Sequence, residues 1–502
     1  MKRTTLILLA AVLMTTSTLV SLAAQKPSRK KASSQAASSS APASVPIKWA
    51  TSCTVNVDAS QTQGEISKML MGFNTVAQAE PDALWKNSKL DEQLKEIKCG
   101  LLRWPGGEVT SYYHWNDMIN KRETDTWDPK YKAEKVDRSQ FMDLEEYMGH
   151  VRAIGCEPMI GINLESGAKY GRDKEGLEEA KALIQHCVDK KYNVKYWFLD
   201  NETYIGVTSN HLRMSAEKYA EYCNRYAEVL RSVDPNIQLV ANWAGGWNPD
   251  WQKILPIAGK NINIADFHFY WRNSGSSWDY WLTHPMGMAK KMGTPSFQAI
   301  APNDSYEEAV NTFREYTKKA GYDIKIASHE WNVGPAPKEP LSQYQTALME
   351  AEEFGQFINS GMFMSCLWPM HWNSANEYRT LFDDKTGKPH PNYKMFKMYS
   401  DAMGQNLLAS SATAQEIRPV AAQSTDGKTM YLYLLRKSGD APALPTSIEL
   451  KGFAPKTVKA LCFQSSDLKS NEADVTELPV NTGAMLSLDL PAHSFTEVIL
   501  SK

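Results

Sequence analysis

Two apolar runs of the chain end in a glutamate flanked by polar residues: Tyr196, Trp197, Phe198, Leu199, Asp200, Asn201, Glu202, and Ile326, Ala327, Ser328, His329, Glu330, Trp331, Asn332. A carboxylic acid opposed by a carboxylate is what cleavage of a glycosidic bond through an oxocarbenium-like transition state requires. If the two carboxyl groups stand about 5 to 5.5 Å apart, one serves as acid and base, the other attacks as a nucleophile, and the anomeric configuration is retained. Glu202 is the candidate acid/base and Glu330 the candidate nucleophile. The aromatic surroundings of Glu202 and the like charge of Glu330 both favour a protonated Glu202. The plainer alternative is a pair of solvated or salt-bridged carboxylates, because glutamate is mostly a surface residue.

Elements that could hold these two groups face to face are legible around them. Eight strand-like runs alternate with helix-period segments: Met69 to Thr75, Gly100 to Gly107, Glu157 to Leu164, Lys195 to Glu202, Ile237 to Trp243, Ile264 to Trp271, Ile324 to Asn332 and Met362 to Trp372. Helical patterns occupy Lys89 to Lys98, Phe141 to Ala153, Leu177 to Lys190, Ala216 to Val233 and Ser342 to Asn359. Such alternation predicts βαβ units and a parallel sheet, and eight units close a (β/α)8 barrel of the α/β class. Both glutamates then fall at C-terminal strand ends, where barrels keep their working residues. After a last helical stretch, Tyr393 to Met403, the runs Met430 to Leu435, Lys456 to Phe463 and Ala484 to Leu490 alternate as an antiparallel β-sandwich would, and Cys53 to Asp58 could join it. The expected domains are a barrel over residues 64–404 and a β-sandwich over 405–502, with 47–63 supplying a strand to the latter.

Composition narrows the partners. The formal net charge of the 502 residues is -2, which supplies no broad field for nucleic acid or an anionic membrane. Lys2 and Arg3, the apolar run Leu6 to Met14 and the small residues at Ser21 and Ala23 read as an export signal over residues 1–23, removed to leave a periplasmic or extracellular protein. Residues 24–46, rich in Ser, Ala and Lys, read as a disordered linker. No other run approaches the roughly 18 apolar residues of a membrane span, so no stable membrane insertion is expected. The 7 cysteines lack a CxxC pair, which argues against a thiolate metal site and for buried thiols. No HExxH spacing appears among the histidines either, and neither a metal nor a cofactor is expected.

Leu102, Arg103, Trp104, Pro105, Gly106, Gly107, the Asn201–Glu202 pair and Glu330, Trp331, Asn332, Val333 together resemble the clan A glycoside hydrolases, above all the family 51 α-L-arabinofuranosidases. Pro391 to Leu408 is similar to the family's closing helix. The resemblance implies a retaining double displacement, with Glu202 as acid/base and Glu330 as nucleophile. It also implies that Arg103, Asn201, His268 and Tyr270 order those carboxylates and the sugar. Arg103 brings a charge and Tyr270 a hydroxyl donor for Glu330. The alternatives are a barrel-floor salt bridge for Arg103 and a satisfied core imidazole for His268.

Three positions depart from the family. Asn74 follows the first strand where a Glu commonly contacts the furanose, Glu108 stands in place of Asn, and His329 in place of the Asp before the nucleophile. Asn74 and Glu108 are therefore candidate sugar contacts with altered specificity. The chain holds 15 Trp and 22 Tyr. Trp243 and Trp368 are candidate stacking faces, among a set that includes Trp104, Tyr112, Tyr113, Trp115, Trp247, Trp271 and Trp372, any of which could equally pack in the core. The leading expectation is an exo-acting α-L-arabinofuranosidase on plant-type or algal carbohydrate. The rivals are an endo-acting clan A glycanase on a β-linked polysaccharide and a non-catalytic glycan-binding protein.

Overall fold

The structure is a computed structural model describing residues 49–117, 124–133, 136–205, 211–243, 250–271, 278–283, 305–334, 339–372, 378–483 and 485–502. The export signal and linker expected over residues 1–46 lie outside them, as does Trp247. The first strand, β1 (Cys53–Glu65), belongs to the C-terminal sheet. It is followed by β2 (Gly72–Asn74), β3 (Leu101–Trp104), β4 (Glu157–Ile162), β5 (Tyr196–Leu199), β6 (Gln238–Asn242), β7 (Ile264–Trp271), β8 (Lys325–Val333) and β9 (Met364–Leu367). These eight are parallel neighbours in order, and β2 pairs with β9 to close the barrel, the fold that the alternating pattern predicts.

Side-chain alternation along each strand sorts residues between the barrel interior and the surrounding helices. Leu101, Met159, Tyr196, Phe198, Val240, Ile264, Ala327, Met364 and Cys366 form one buried cluster, drawn from seven barrel strands. One step further along the same strands the residues become polar: Arg103 follows Leu101, Asn242 follows Val240, and Asp266 follows Ile264. The apolar plug thus carries a polar layer toward the C-terminal rim. Helix starts are set by local caps: Asp143 and Glu146 form a capping box for Leu144–Ile154, and Ser342 and Gln345 do so for Gln343–Asn359.

The strand ends differ from the sequence pattern where function begins. β5 stops at Leu199, short of Glu202, because Asp200 (φ 59) and Glu202 (φ 47) take left-handed backbone that cannot continue a ladder. β9 ends at Leu367, far short of Trp372, and Pro369 just beyond has no N–H to offer a ladder.

The C-terminal strands are β10 (Asn406–Ala412), β11 (Ile417–Gln423), β12 (Thr429–Arg436), β13 (Ala443–Lys451), β14 (Thr457–Gln464), β15 (Asp474–Leu478), β16 (Leu486–Pro491) and β17 (Ser494–Ser501). With β1 they make one nine-stranded sheet in the order β15-β14-β17-β12-β11-β10-β1-β13-β16. β1 joins its two parts, antiparallel to β10 and parallel to β13. Val55, Leu432, Ile448, Leu490 and Val498, from opposite parts of that sheet, share one core, so the sheet curls on itself as a sandwich does. Its other side merges with the barrel core through Tyr433, Leu435, Phe463 and Phe495. The helix Gln343–Asn359 lies buried between them, and its Glu352 meets Arg418 Nε at 2.7 Å and Lys437 Nζ at 2.9 Å.

Candidate active site

β7 shows how the strands present the site. In Ile264–Trp271 alternate residues Asp266, His268 and Tyr270 are polar, while Ala265, Phe267 and Phe269 pack outward into the helical layer. Tyr270 donates its hydroxyl to Glu330 Oε2 at 2.9 Å. His268 Nδ1 lies 2.8 Å from Glu202 Oε1 and 3.5 Å from Glu330 Oε2. Glu202, His268 and Glu330 thus bring one polar atom each within 4.8 Å of the others. The two glutamates come from strands on different sides of the β6–β7 pair and face each other at the C-terminal rim.

Arg103, fully buried, ties three strand ends together. Its Nη1 donates to Glu330 Oε1 at 2.9 Å and to Asn74 Oδ1 at 3.0 Å, and its Nη2 donates to Asn201 Oδ1 at 2.7 Å. The guanidinium lies 4.4 Å over the Phe198 ring. Asn201 and Asn74 therefore reach the cluster, but through Arg103. Asn74 is 1% exposed and its amide nitrogen donates to the carbonyls of His329, Cys366 and Leu367. It is a brace under the nucleophile, where the sequence suggested a sugar contact.

The segment carrying Glu202 is held against its strained backbone. Asp200 accepts the N–H groups of Leu164 and Glu165 on one oxygen, and the Ser111 hydroxyl and Asn201 N–H on the other. Burial, with the nearby charge of Glu165, pushes the Asp200 carboxyl up to about 6 despite those donors. Left-handed backbone at two non-glycine residues costs about 1–3 kcal/mol each and is typical of functional sites. Glu202 itself gives its N–H to Asn242 Oδ1 at 2.7 Å and accepts the Tyr204 hydroxyl on Oε1 at 3.0 Å.

Beneath the pair, Asp266 accepts the His329 N–H at 2.8 Å and lies 3.2 Å from His329 Nδ1. Burial opposes its charge, but His329 and His268 outweigh it and hold the carboxyl far below the usual range. His329 is driven the other way, mainly by burial, and its pKa falls. For His268, burial again opposes a charged ring, while the charge of Glu330, the hydrogen bonds to Asp266 and Glu202 and the charge of Asp266 act to raise its pKa. Its Nδ1, facing two carboxylate oxygens, carries a hydrogen. It therefore offers no lone pair to a cation, and the donor set suits proton chemistry better than metal binding.

Other candidate contacts sit elsewhere. Trp243 is 2% exposed, packed behind Tyr204 and against Tyr219, with its indole N–H on Asp250, so it presents no face to a sugar. Trp368 is half-buried and stands edge-on to Trp372 at 5.5 Å. Its ring occupies the place a Gly107 side chain would take. Glu108 lies in the turn Gly107–Ser111, and its charge acts on His211. Trp104 is fully buried, and Tyr112 and Tyr113 nearly so. The side chain of Trp271 lies outside the described residues. The sequence reading did not single out Asp266, Asn242 or Tyr204. The signal for Asp266 was present, since a carboxylate in register with His268 and Tyr270 breaks an otherwise apolar strand.

The chain is similar to known proteins in sequence and in fold. Residues 93–286 match the α-L-arabinofuranosidase 1 domain model. An α-L-arabinofuranosidase C of Emericella nidulans is 29% identical over 165 residues, 30% of this chain and 31% of that protein. An intracellular exo-α-(1→5)-L-arabinofuranosidase of Acetivibrio thermocellus is 24% identical over 309 residues, 56% of this chain and 58% of that protein. The chain thus spans less than two thirds of the length of these relatives. In fold it is similar to the α-L-arabinofuranosidase of Thermotoga maritima, solved with arabinose, at a TM-score of 0.69 and 20% identity, covering 90% of this chain and all of that one. A family 44 xyloglucanase of Paenibacillus polymyxa follows at 0.65 and 13%, with 90% of this chain covered and 100% of that one. In its matching domain segment, its sequence relatives and its fold, the chain is similar to the family 51 α-L-arabinofuranosidases.

Proposed function

We propose that the protein is a retaining exo-acting α-L-arabinofuranosidase. The observation that carries this reading is the facing of Glu202 and Glu330, with polar atoms within 4.8 Å, close to the spacing of retaining enzymes. Glu330, oriented by Arg103 and Tyr270, attacks the anomeric carbon while Glu202 protonates the departing oxygen. Water then enters, Glu202 takes its proton, and the glycosyl–Glu330 bond is hydrolysed. The matching domain model and the names of the relatives support the arabinofuranoside. Release of arabinose from an aryl α-L-arabinofuranoside, with retention followed by NMR, tests the reading. Glu330→Ala should lose nearly all turnover and Glu202→Ala most of it; unchanged hydrolysis in both variants would overturn the assignment.

One observation favours a second reading, an endo-acting glycanase. Asn74, at the position where the family commonly reads the furanose with a carboxylate, is buried beneath Arg103 and presents no carboxylate to a sugar. Oligosaccharide products from a polysaccharide panel would favour this alternative, and single pentoses alone would exclude it. Export belongs to the proposal too: it rests on Lys2, Arg3 and the apolar run after them, and N-terminal sequencing of protein recovered outside the cytoplasm tests it.

A further inference from the structure

Asn242 stands at the end of β6, 1% exposed, between the backbone of Glu202 and the ring of His268. Its orientation is fixed by its partners. Oδ1 accepts the Glu202 N–H at 2.7 Å, so Nδ2 must face the other way, 2.6 Å from Asp266 Oδ2 and 2.9 Å from His268 Nε2. Turning the amide over would set an NH2 against the Glu202 N–H and an oxygen against a carboxylate oxygen. An amide nitrogen has two hydrogens and no lone pair to offer. One hydrogen goes to Asp266, and the other points at Nε2, which can receive it only as the unprotonated ring nitrogen.

We propose that Asn242 is a positioning residue that sets the tautomer of His268, keeping Nε2 bare so that the ring's single hydrogen stays on Nδ1 and is given to Glu202 Oε1. This rests on the reading of Glu202 as acid/base. The groups facing the ring are Glu202 from the end of β5, Glu330 and His329 from β8, and Asp266 and Tyr270 from its own strand; Arg103 on β3 stands behind Glu330. The carboxylates invite a second proton onto His268, but that proton would have to sit on Nε2, where the Asn242 donor at 2.9 Å stands closer than the Asp266 Oδ2 acceptor at 3.5 Å. Two consequences follow for the chemistry. Glu202 Oε1 already accepts from His268 Nδ1 and from the Tyr204 hydroxyl, so the proton Glu202 transfers is carried on Oε2. A neutral ring also avoids a positive charge 2.8 Å from the acid, where it would favour the ionised form.

The full chain labelled with ring-15N histidine, with the His268 signals assigned by their loss in His268→Gln, tests this directly. The expected spectrum at the pH of activity shows Nδ1 protonated and Nε2 unprotonated; a protonated Nε2 in the wild type overturns the proposal. Asn242→Asp is isosteric, keeps the acceptor for the Glu202 N–H and replaces the donor by an acceptor. The new carboxylate and Asp266 would share one proton, Nε2 would gain another, and the alkaline limb of kcat/KM should move down by about one pH unit, as an adjacent opposite charge does to an acid. A folded variant whose Nε2 stays bare, or whose alkaline limb stays in place, overturns it. Full activity of Glu202→Ala would end the acid/base reading while leaving the wild-type ring signals to report the tautomer, so the two failures are distinct.

Discussion

Replacing Arg103 by lysine isolates the geometry of the fork from its charge. The guanidinium serves Glu330 Oε1 and Asn74 Oδ1 from Nη1, at 2.9 and 3.0 Å, and Asn201 Oδ1 from Nη2, at 2.7 Å. It couples the nucleophile to the segment that carries the acid. Lysine retains the charge but gathers its donors on one nitrogen at the end of a flexible stem. That nitrogen can serve Glu330 or Asn201 but not both, because they are held by different prongs of the fork. One bond to a charged partner is lost, worth about 1.5–3 kcal/mol. At about 1.4 kcal/mol per tenfold, kcat/KM should fall about 10- to 150-fold. Initial rates on 4-nitrophenyl α-L-arabinofuranoside measure the fall, and a thermal melt shows whether the variant is folded. A folded Arg103→Lys enzyme within about threefold of the wild type would refute the view that the fork, rather than its charge, aligns the two glutamates.

Three further outcomes are expected. Tyr270→Phe removes the 2.9 Å bond to Glu330 Oε2 and should lower kcat by about tenfold or more with little change in Tm, read by the same assay and melt. Burial raises Glu350 to about 8, so between the ordinary 4.5 and about 8 the folded chain holds a proton that the unfolded chain has released, and its contribution to stability is lost as pH rises through that window. Glu350→Gln keeps the neutral form; calorimetry should show equal Tm near pH 5 and a gain of about 1–2 °C near pH 8, and equal Tm at both would contradict the sign. Gly107 has φ +55 and an added Cβ would stand 2.5 Å from the Trp368 ring, so Gly107→Ala should lose about 1–3 kcal/mol in denaturant unfolding. An unchanged midpoint would show that the ring moves aside freely.

What the sequence determined by itself is what local periodicity and residue type can carry. Alternating apolar and helical runs give the barrel, because each strand and helix must bury its own face. Strand-end position makes Glu202 and Glu330 stand out, and the alternation of His268 with Tyr270 puts both on the inner face of one strand. Tertiary structure decided which of these groups meet. Asn74 and Trp243 sit at strand ends in the sequence, as a sugar contact would, yet Asn74 is spent on Arg103 and three carbonyls, and Trp243 lies behind Tyr204. Asp266 and Asn242 look like ordinary polar interruptions until β6, β7 and β8 align to set them under His268. The physical reason is that periodicity fixes the face a side chain points from, whereas its partners across the barrel depend on the register of strands far apart in the chain, and on backbone such as that of Glu202, which leaves the ladder to bring its carboxyl over the site.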